Sequence, residues 1–402
     1  MTPIKGPDER TADAIVLGGG PSGCTLATLL ARAGWDVLVV DRHETPLRAV
    51  GESLLPFGNR VLERIGISMD GFMRKDAAVF HQDGRSVRFP FNEAVRTTWD
   101  HAHQVLRDDF DQRFRDQATD AGVRSLYTTV RDVDLPGQVH TAAGTIEAPW
   151  IFDCMGRGQF IARRLGLREL HPQLKNAAIV AHHRGIHHPP PAKTGDVSVC
   201  VFEHGWWWFI PFSDGTTSVG VVMTPGFDGG DDRWQAALDA APDALRFLEG
   251  SERLEPIRGV QDFTGIATRY HGDGWALVGD AASFLDPVFS SGIILGLESA
   301  ARLADLLIET GGTAQALDAW EAHLRKATVA FEETVKAFYD GTFMAAAFCP
   351  PELQREQYRR GIISLLAGDV FDPGNPTPHA IAPRFGTLAK MVAALEERRA
   401  TR

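Results

Sequence analysis

Cysteine is scarce in this chain: four among 402 residues (Cys24, Cys154, Cys200 and Cys349), widely spaced and without a CxxC pair. That excludes a disulfide framework or a thiolate zinc site as the organising feature, and it predicts a reduced, cytoplasmic protein with no metal site. Basic charge is also short. Against 52 Asp and Glu stand 41 Lys and Arg, a net charge of −11, which argues against a nucleic-acid partner. No run of 18 consecutive apolar residues occurs, so no membrane span is expected. The opening stretch Met1–Asp13 is polar and lacks the apolar core of a secretory signal. Repeats and low-complexity tracts are missing too.

What is present is enough to bury a large core, with 44% hydrophobic residues. Ala14–Leu17 reads as a short buried strand, Pro21–Ala33 as a helix with apolar residues at Leu26, Leu29 and Leu30, and Val37–Val40 as a second strand. Strand, helix and strand in that order open a parallel sheet covered by helices. In the middle, Val197–Glu203, Trp206–Phe212 and Ser218–Met223 are strand-like runs joined by short turns, which means antiparallel pairing. After a buried strand at Ala276–Val278 come helices expected over Ser291–Thr310 and Asp318–Tyr339. The expected class is α/β: a doubly wound, Rossmann-like domain in discontinuous segments (10–170 and 259–312), an inserted antiparallel sheet (171–258) and a helical C-terminal region (313–402).

The glycine string Gly18-Gly19-Gly20-Pro21-Ser22-Gly23 fits GxGxxG, with Gly18, Gly20 and Gly23 in the key places. The first permits the tight turn, the second lets a pyrophosphate approach the backbone, and the third packs helix on strand. Asp41 ends the second strand at the spacing that reaches a ribose hydroxyl, with Arg42 beside it. Strand before, helix after and acid at the right distance together point to a dinucleotide.

A second signal narrows the cofactor. Gly274–Ala282 sets Gly279-Asp280 at the end of a buried strand, and here the chain resembles FAD-dependent aromatic hydroxylases and halogenases. The resemblance implies that Gly279 and Asp280 bond the ribityl chain and pyrophosphate. It further implies that Gln104, Arg107 and Asp111 form a second flavin-contacting segment, and that Asp153 with Gly156-Arg157 turns back towards the adenosine.

Three further segments resemble the halogenase branch. Trp206-Trp207-Trp208-Phe209-Ile210-Pro211 satisfies W-x-W-x-I-P. Alternation puts Trp206, Trp208 and Ile210 on one face and Trp207 and Phe209 on the other. In that family the string, Pro211 included, forms a wall between flavin and substrate. Phe284–Gly292 is similar to F-x-x-P-x-x-S-x-G, implying a halide at Ser291 and Gly292, where helix-opening N–H groups can hold an anion. A plain Ser cap after a proline turn would give the same letters. Gly51-Glu52-Ser53-Leu54-Leu55-Pro56 resembles the segment lying over the flavin, and Lys75 stands where the family has its catalytic lysine.

The resemblance implies FADH₂ delivered by a separate flavin reductase, O₂, chloride or bromide, and a flavin hydroperoxide that yields hypohalous acid. That oxidant is relayed to Lys75, which hydrogen-bonds it or carries it as a haloamine. Halogenases of free tryptophan carry a glutamate where Phe289 stands. Its absence implies an activated substrate, phenolic or pyrrolic, free or tethered to an acyl carrier protein. Leu365–Phe371 also resembles the C-terminal segment of that branch. An aromatic monooxygenase on the same scaffold, or a flavoprotein acting as a maturation factor, are the alternatives.

Overall fold

The computed structural model describes residues 2–3, 10–261, 264–350 and 352–400. Two large sheets organise it. The first has seven strands in the order Thr2–Pro3, Arg124–Tyr127, Val37–Asp41, Ala14–Leu17, Trp150–Asp153, Trp275–Leu277 and His271–Gly272. Every pairing is parallel except the last. Ala14–Leu17 and Trp150–Asp153 sit centrally and are apolar on both faces, as a strand covered by helices on either side must be. Helices Pro21–Arg32 and Ser291–Thr310 cover this sheet and pack on one another.

The second sheet carries the tryptophan run. Glu252–Arg253, Ala177–Arg184, Thr216–Met223, Gly205–Pro211, Val197–Phe202, Ala77–Gln82 and Arg85–Pro90 follow in spatial order, and Arg258–Gln261 also pairs with Ala177–Arg184. Its pairings are antiparallel except where Val197–Phe202 lies parallel to Ala77–Gln82. Alternation along Gly205–Pro211 divides two cores. Trp206, Trp208 and Ile210 join the main core, whereas Trp207 and Phe209 join a smaller one with Trp234 and Phe247.

Helix boundaries follow the local sequence. Ser291–Thr310 stops at Gly311, whose left-handed φ of +66° ends the hydrogen-bond ladder. Ala314–Tyr339 begins one turn before the expected Asp318. The Leu365–Phe371 segment folds back against the end of Gly51–Pro56: Phe57 N–H donates to the Ala367 carbonyl at 3.0 Å. Among the described residues no helix is long and apolar enough to cross a membrane.

Candidate active site

The glycine turn is built to the packing logic of its sequence. Gly18 has φ +102°, and a Cβ there would stand 2.5 Å from the Cys154 carbonyl oxygen; at Gly23 it would stand 2.0 Å from the Gly18 carbonyl oxygen. Neither position admits a side chain. Among the described residues a Cβ on Gly20 would meet nothing within 4 Å, so the second glycine fronts open space. The helix Pro21–Arg32 begins there with no side-chain cap, which leaves its first N–H groups for a phosphate. These features fit a dinucleotide.

Asp41 is at the strand end as expected, and it also shapes the turn. Its carboxylate accepts from Gly19 N–H at 2.7 Å and His43 N–H at 2.8 Å, with Arg115 at 3.4 Å. Arg42 is exposed beside it. Gly279, φ +62°, sits against Ser22 and Gly296, where a Cβ would come within 2.9 Å and 3.0 Å of their atoms. This brings Asp280 to the mouth of the glycine turn. Burial pushes the Asp280 carboxyl up to about 6, against the pull of Arg157 and Arg107.

Arg107 makes a forked pair with Asp111, both bonds 2.9 Å, and donates to the Val50 carbonyl at 2.6 Å. Gln104 is fully buried; its Nε2 donates to the Gly195 carbonyl at 3.1 Å, while Oε1 has no hydrogen-bond partner among the described residues. A buried acceptor left open is what a missing bound group would explain. Asp153 is fully buried at its strand end, and its carboxylate accepts from Met155 N–H at 3.0 Å and Ile161 N–H at 2.7 Å. Burial raises it to about 6 despite those bonds.

Within the expected halide segment Phe284–Gly292, the Asp286 side chain caps the short Pro287–Phe289 turn. Ser290 takes a left-handed φ of +56°, and Ser291 opens a 20-residue helix with no acidic side chain in its first turn. Ser291 is buried. A long helix that starts with uncapped N–H groups suits an anion.

Lys75 is 1% exposed, far from the solvated lysine a polar turn would carry. The strand pairing Met73–Lys75 with Ala102–Gln104 fixes its backbone. Its Nζ donates to the Leu54 carbonyl at 2.8 Å and lies 5.4 Å from the centre of the Phe91 ring. Burial pushes the amine down to about 7, with Asp196 pulling weakly the other way. On the wall, Trp206 Nε1 donates to Tyr339 Oη at 3.0 Å, and Tyr339 Oη donates to Asp286 at 2.7 Å. Asn176 donates to the same carboxylate at 2.8 Å. Trp208 donates to Ser218 Oγ at 3.1 Å. Pro211 ends the strand opposite Thr217. Tyr339 and Asn176 were invisible to motif reading, because each reaches the halide segment only through the folded chain.

A family model for tryptophan halogenases matches residues 13–90 and 78–345. The chain belongs to that family. This halogenase is 28% identical over 409 residues to a 1H-pyrrole-2-carbonyl-(peptidyl-carrier protein) chlorinase of Pseudomonas fluorescens, covering 90% of each chain. It is 29% identical over 341 residues to the flavin-dependent halogenase armH1 of Armillaria mellea, covering 73% of this chain and 65% of that one. Among solved structures, the myxobacterial FAD-dependent chondrochloren halogenase CndH superposes with a TM-score of 0.76 at 26% identity, over 95% of this chain and 97% of that one. A flavoprotein/dehydrogenase from Cytophaga hutchinsonii superposes with a TM-score of 0.87 at 29% identity, over 96% and 100%. The protein is therefore a flavin-dependent halogenase, drawing on FAD, O₂ and a halide.

Proposed function

We propose that this halogenase acts on an electron-rich phenolic or pyrrolic ring, free or tethered to a carrier protein, through an electrophilic halogen presented by Lys75. A separate flavin reductase supplies FADH₂. Bound reduced flavin, with O₂ and halide, supplies the oxidising power as hypohalous acid; the other steps belong to the chain's own residues.

The observation that carries the reading is the buried Lys75 amine, held by the Leu54 carbonyl beside Phe91. An amine brought down to about 7 is available near neutrality both as an N–H donor to HOX and as a nucleophile towards it. In the second form Lys–NH₂ and HOX give Lys–NHX and water. The ring then takes the halogen and returns its proton to nitrogen. Ser291 and Gly292 hold the halide at the helix start, and Gly18, Gly20, Gly23, Asp41, Gln104, Arg107, Gly279 and Asp280 hold the cofactor. Trp206, Trp208, Ile210 and Pro211 keep the ring from the flavin.

The substrate class is supported by Phe289. Its ring packs 5.8 Å from Phe338 and 5.1 Å from Phe343, filling the place of the acid expected for a less activated ring. The carrier-bound alternative is supported by the relative named for a pyrrolyl carrier-protein substrate.

The test is mass spectrometry after incubation of enzyme, flavin reductase, FAD, NADH and chloride or bromide with phenolic and pyrrolyl substrates, free and carrier-loaded. A halogen isotope pattern that disappears in Lys75→Ala is the expected result. A hydroxylated product formed without halide would instead make the protein a monooxygenase.

A further inference from the structure

The segment that bears Leu54 is held from several sides. Arg107 donates to Val50 O at 2.6 Å, Val105 N–H to Glu52 O at 2.7 Å, and Leu54 N–H to His103 O at 3.0 Å. These are contacts within the flavin-binding half of the molecule. The Glu52 side chain instead crosses to the second sheet, where its Oε1 lies 2.9 Å from His182 Nε2. The other ring nitrogen of His182, Nδ1, lies 2.6 Å from Glu255 Oε1. Glu52 and His182 are each 2% exposed, and Phe212 stacks on the imidazole with centroids 5.8 Å apart.

A neutral imidazole has one N–H to give. One ring placed between two carboxylates therefore makes both bonds only when it is doubly protonated or when one acid holds the proton. A buried carboxylate needs such a partner. The outer acid is itself neutralised from the rim, by Arg258 at 3.1 Å and Arg48 at 3.8 Å, which leaves the imidazolium to serve Glu52.

We propose that His182 is a positioning residue for halogen transfer: by bridging Glu255 to Glu52 it fixes the Gly51–Leu55 segment, and so the carbonyl of Leu54 that holds the Lys75 amine. Only Ser53 separates the residue His182 grips from the residue Lys75 grips. The inference rests on the reading of Lys75 given above. The groups facing the imidazole are Glu52 from the flavin-side segment, Glu255 from the loop after Glu252–Arg253, and Arg48 and Arg258 behind it. Burial opposes the charge on His182, but the hydrogen bonds to Glu52 and Glu255 outweigh it and raise the ring above its ordinary range. The bridge therefore persists past pH 6.5 and is lost as pH climbs through the raised value. Product formation should show an alkaline limb that belongs to His182.

The test uses FAD-loaded enzyme labelled with ¹³C-lysine. The Cε signal of Lys75 is assigned by its absence in Lys75→Met, and its titration is followed in the parent and in His182→Gln. Release of the segment lets water reach the amine, so the Lys75 midpoint should rise by about one pH unit or more in His182→Gln. kcat should fall about 10- to 100-fold while KM for the aromatic substrate stays within about 2-fold. A folded His182→Gln enzyme with an unmoved Lys75 midpoint would overturn the proposal. If that variant does not fold, Glu255→Gln keeps the inner bond and weakens the bridge; the alkaline limb should then move to lower pH, and an unmoved limb overturns the proposal. Halogenation surviving in Lys75→Met would count against the Lys75 reading instead.

Discussion

Asp280 and Gly292 face each other: a Cβ built on Gly292 would stand 3.5 Å from Asp280 Oδ1. One residue closes the strand that receives the cofactor and the other opens the helix assigned to the halide. Two segments read separately along the chain thus meet at one point.

Asp280→Asn should move stability and cofactor affinity in opposite directions. The folded carboxyl titrates at about 6, above the ordinary 3.8, so the folded protein binds more protons than the unfolded chain between these values. Stability of the cofactor-free protein falls as pH rises through that window, and the full penalty stands above pH 6. Removing the charge should stabilise the cofactor-free protein by about 1–2 kcal/mol at pH 8, with the gain gone below about pH 4. FAD should bind more weakly. Calorimetry across pH and flavin fluorescence titration check the two arms.

Lys75→Met should abolish halogenation and stabilise the fold. With the amine at about 7 instead of 10.5, the unfolded chain binds more protons between those values, so stability rises with pH through that interval. The penalty is complete below about 7. At about 1.4 kcal/mol per pH unit the ceiling on the gain is about 5 kcal/mol at pH 6, shrinking towards pH 10. Urea unfolding of both proteins at the two pH values measures it.

Tyr339→Phe should loosen the tryptophan wall from the halide segment. It removes the donor to Asp286 and the acceptor for the Trp206 indole, leaving buried polar groups short of a partner. The expected cost is about 1–3 kcal/mol in unfolding free energy. Peroxide released per turnover should increase.

Gly220→Ala should disturb the same wall from behind. The new methyl would fall 2.2 Å from Trp208 Cζ2, so the indole must shift. Overpacking of this kind costs about 1–3 kcal/mol. The expected outcome is a lower Tm together with a changed ratio of halogenated product to peroxide.

Much of this arrangement was legible in the sequence because its determinants are local. The glycine turn, the Ser291–Thr310 helix and the two-faced tryptophan strand each follow from spacing within one segment. Contacts between distant segments leave no such mark. Val197–Phe202 lies parallel to Ala77–Gln82, a pairing set by the sheet as a whole. His182 reaches Glu52 across 130 positions, and Tyr339 reaches Trp206 across 133. Asp153 belongs with the local features, since its carboxylate accepts from the Met155 and Ile161 amides of the turn that follows its strand.

The parity of the Gly205–Pro211 strand bears on any attempt to reshape this enzyme. A library randomised there should sort by odd and even number. Changes at Trp207 and Phe209 would be recovered mainly as insoluble protein, because those rings belong to the smaller core. Changes at Trp206 and Trp208 act on rings that join the main core and donate to Tyr339 and Ser218, so they should alter product mixtures together with stability, and selection for new chemistry should sample the even positions in a stabilised background.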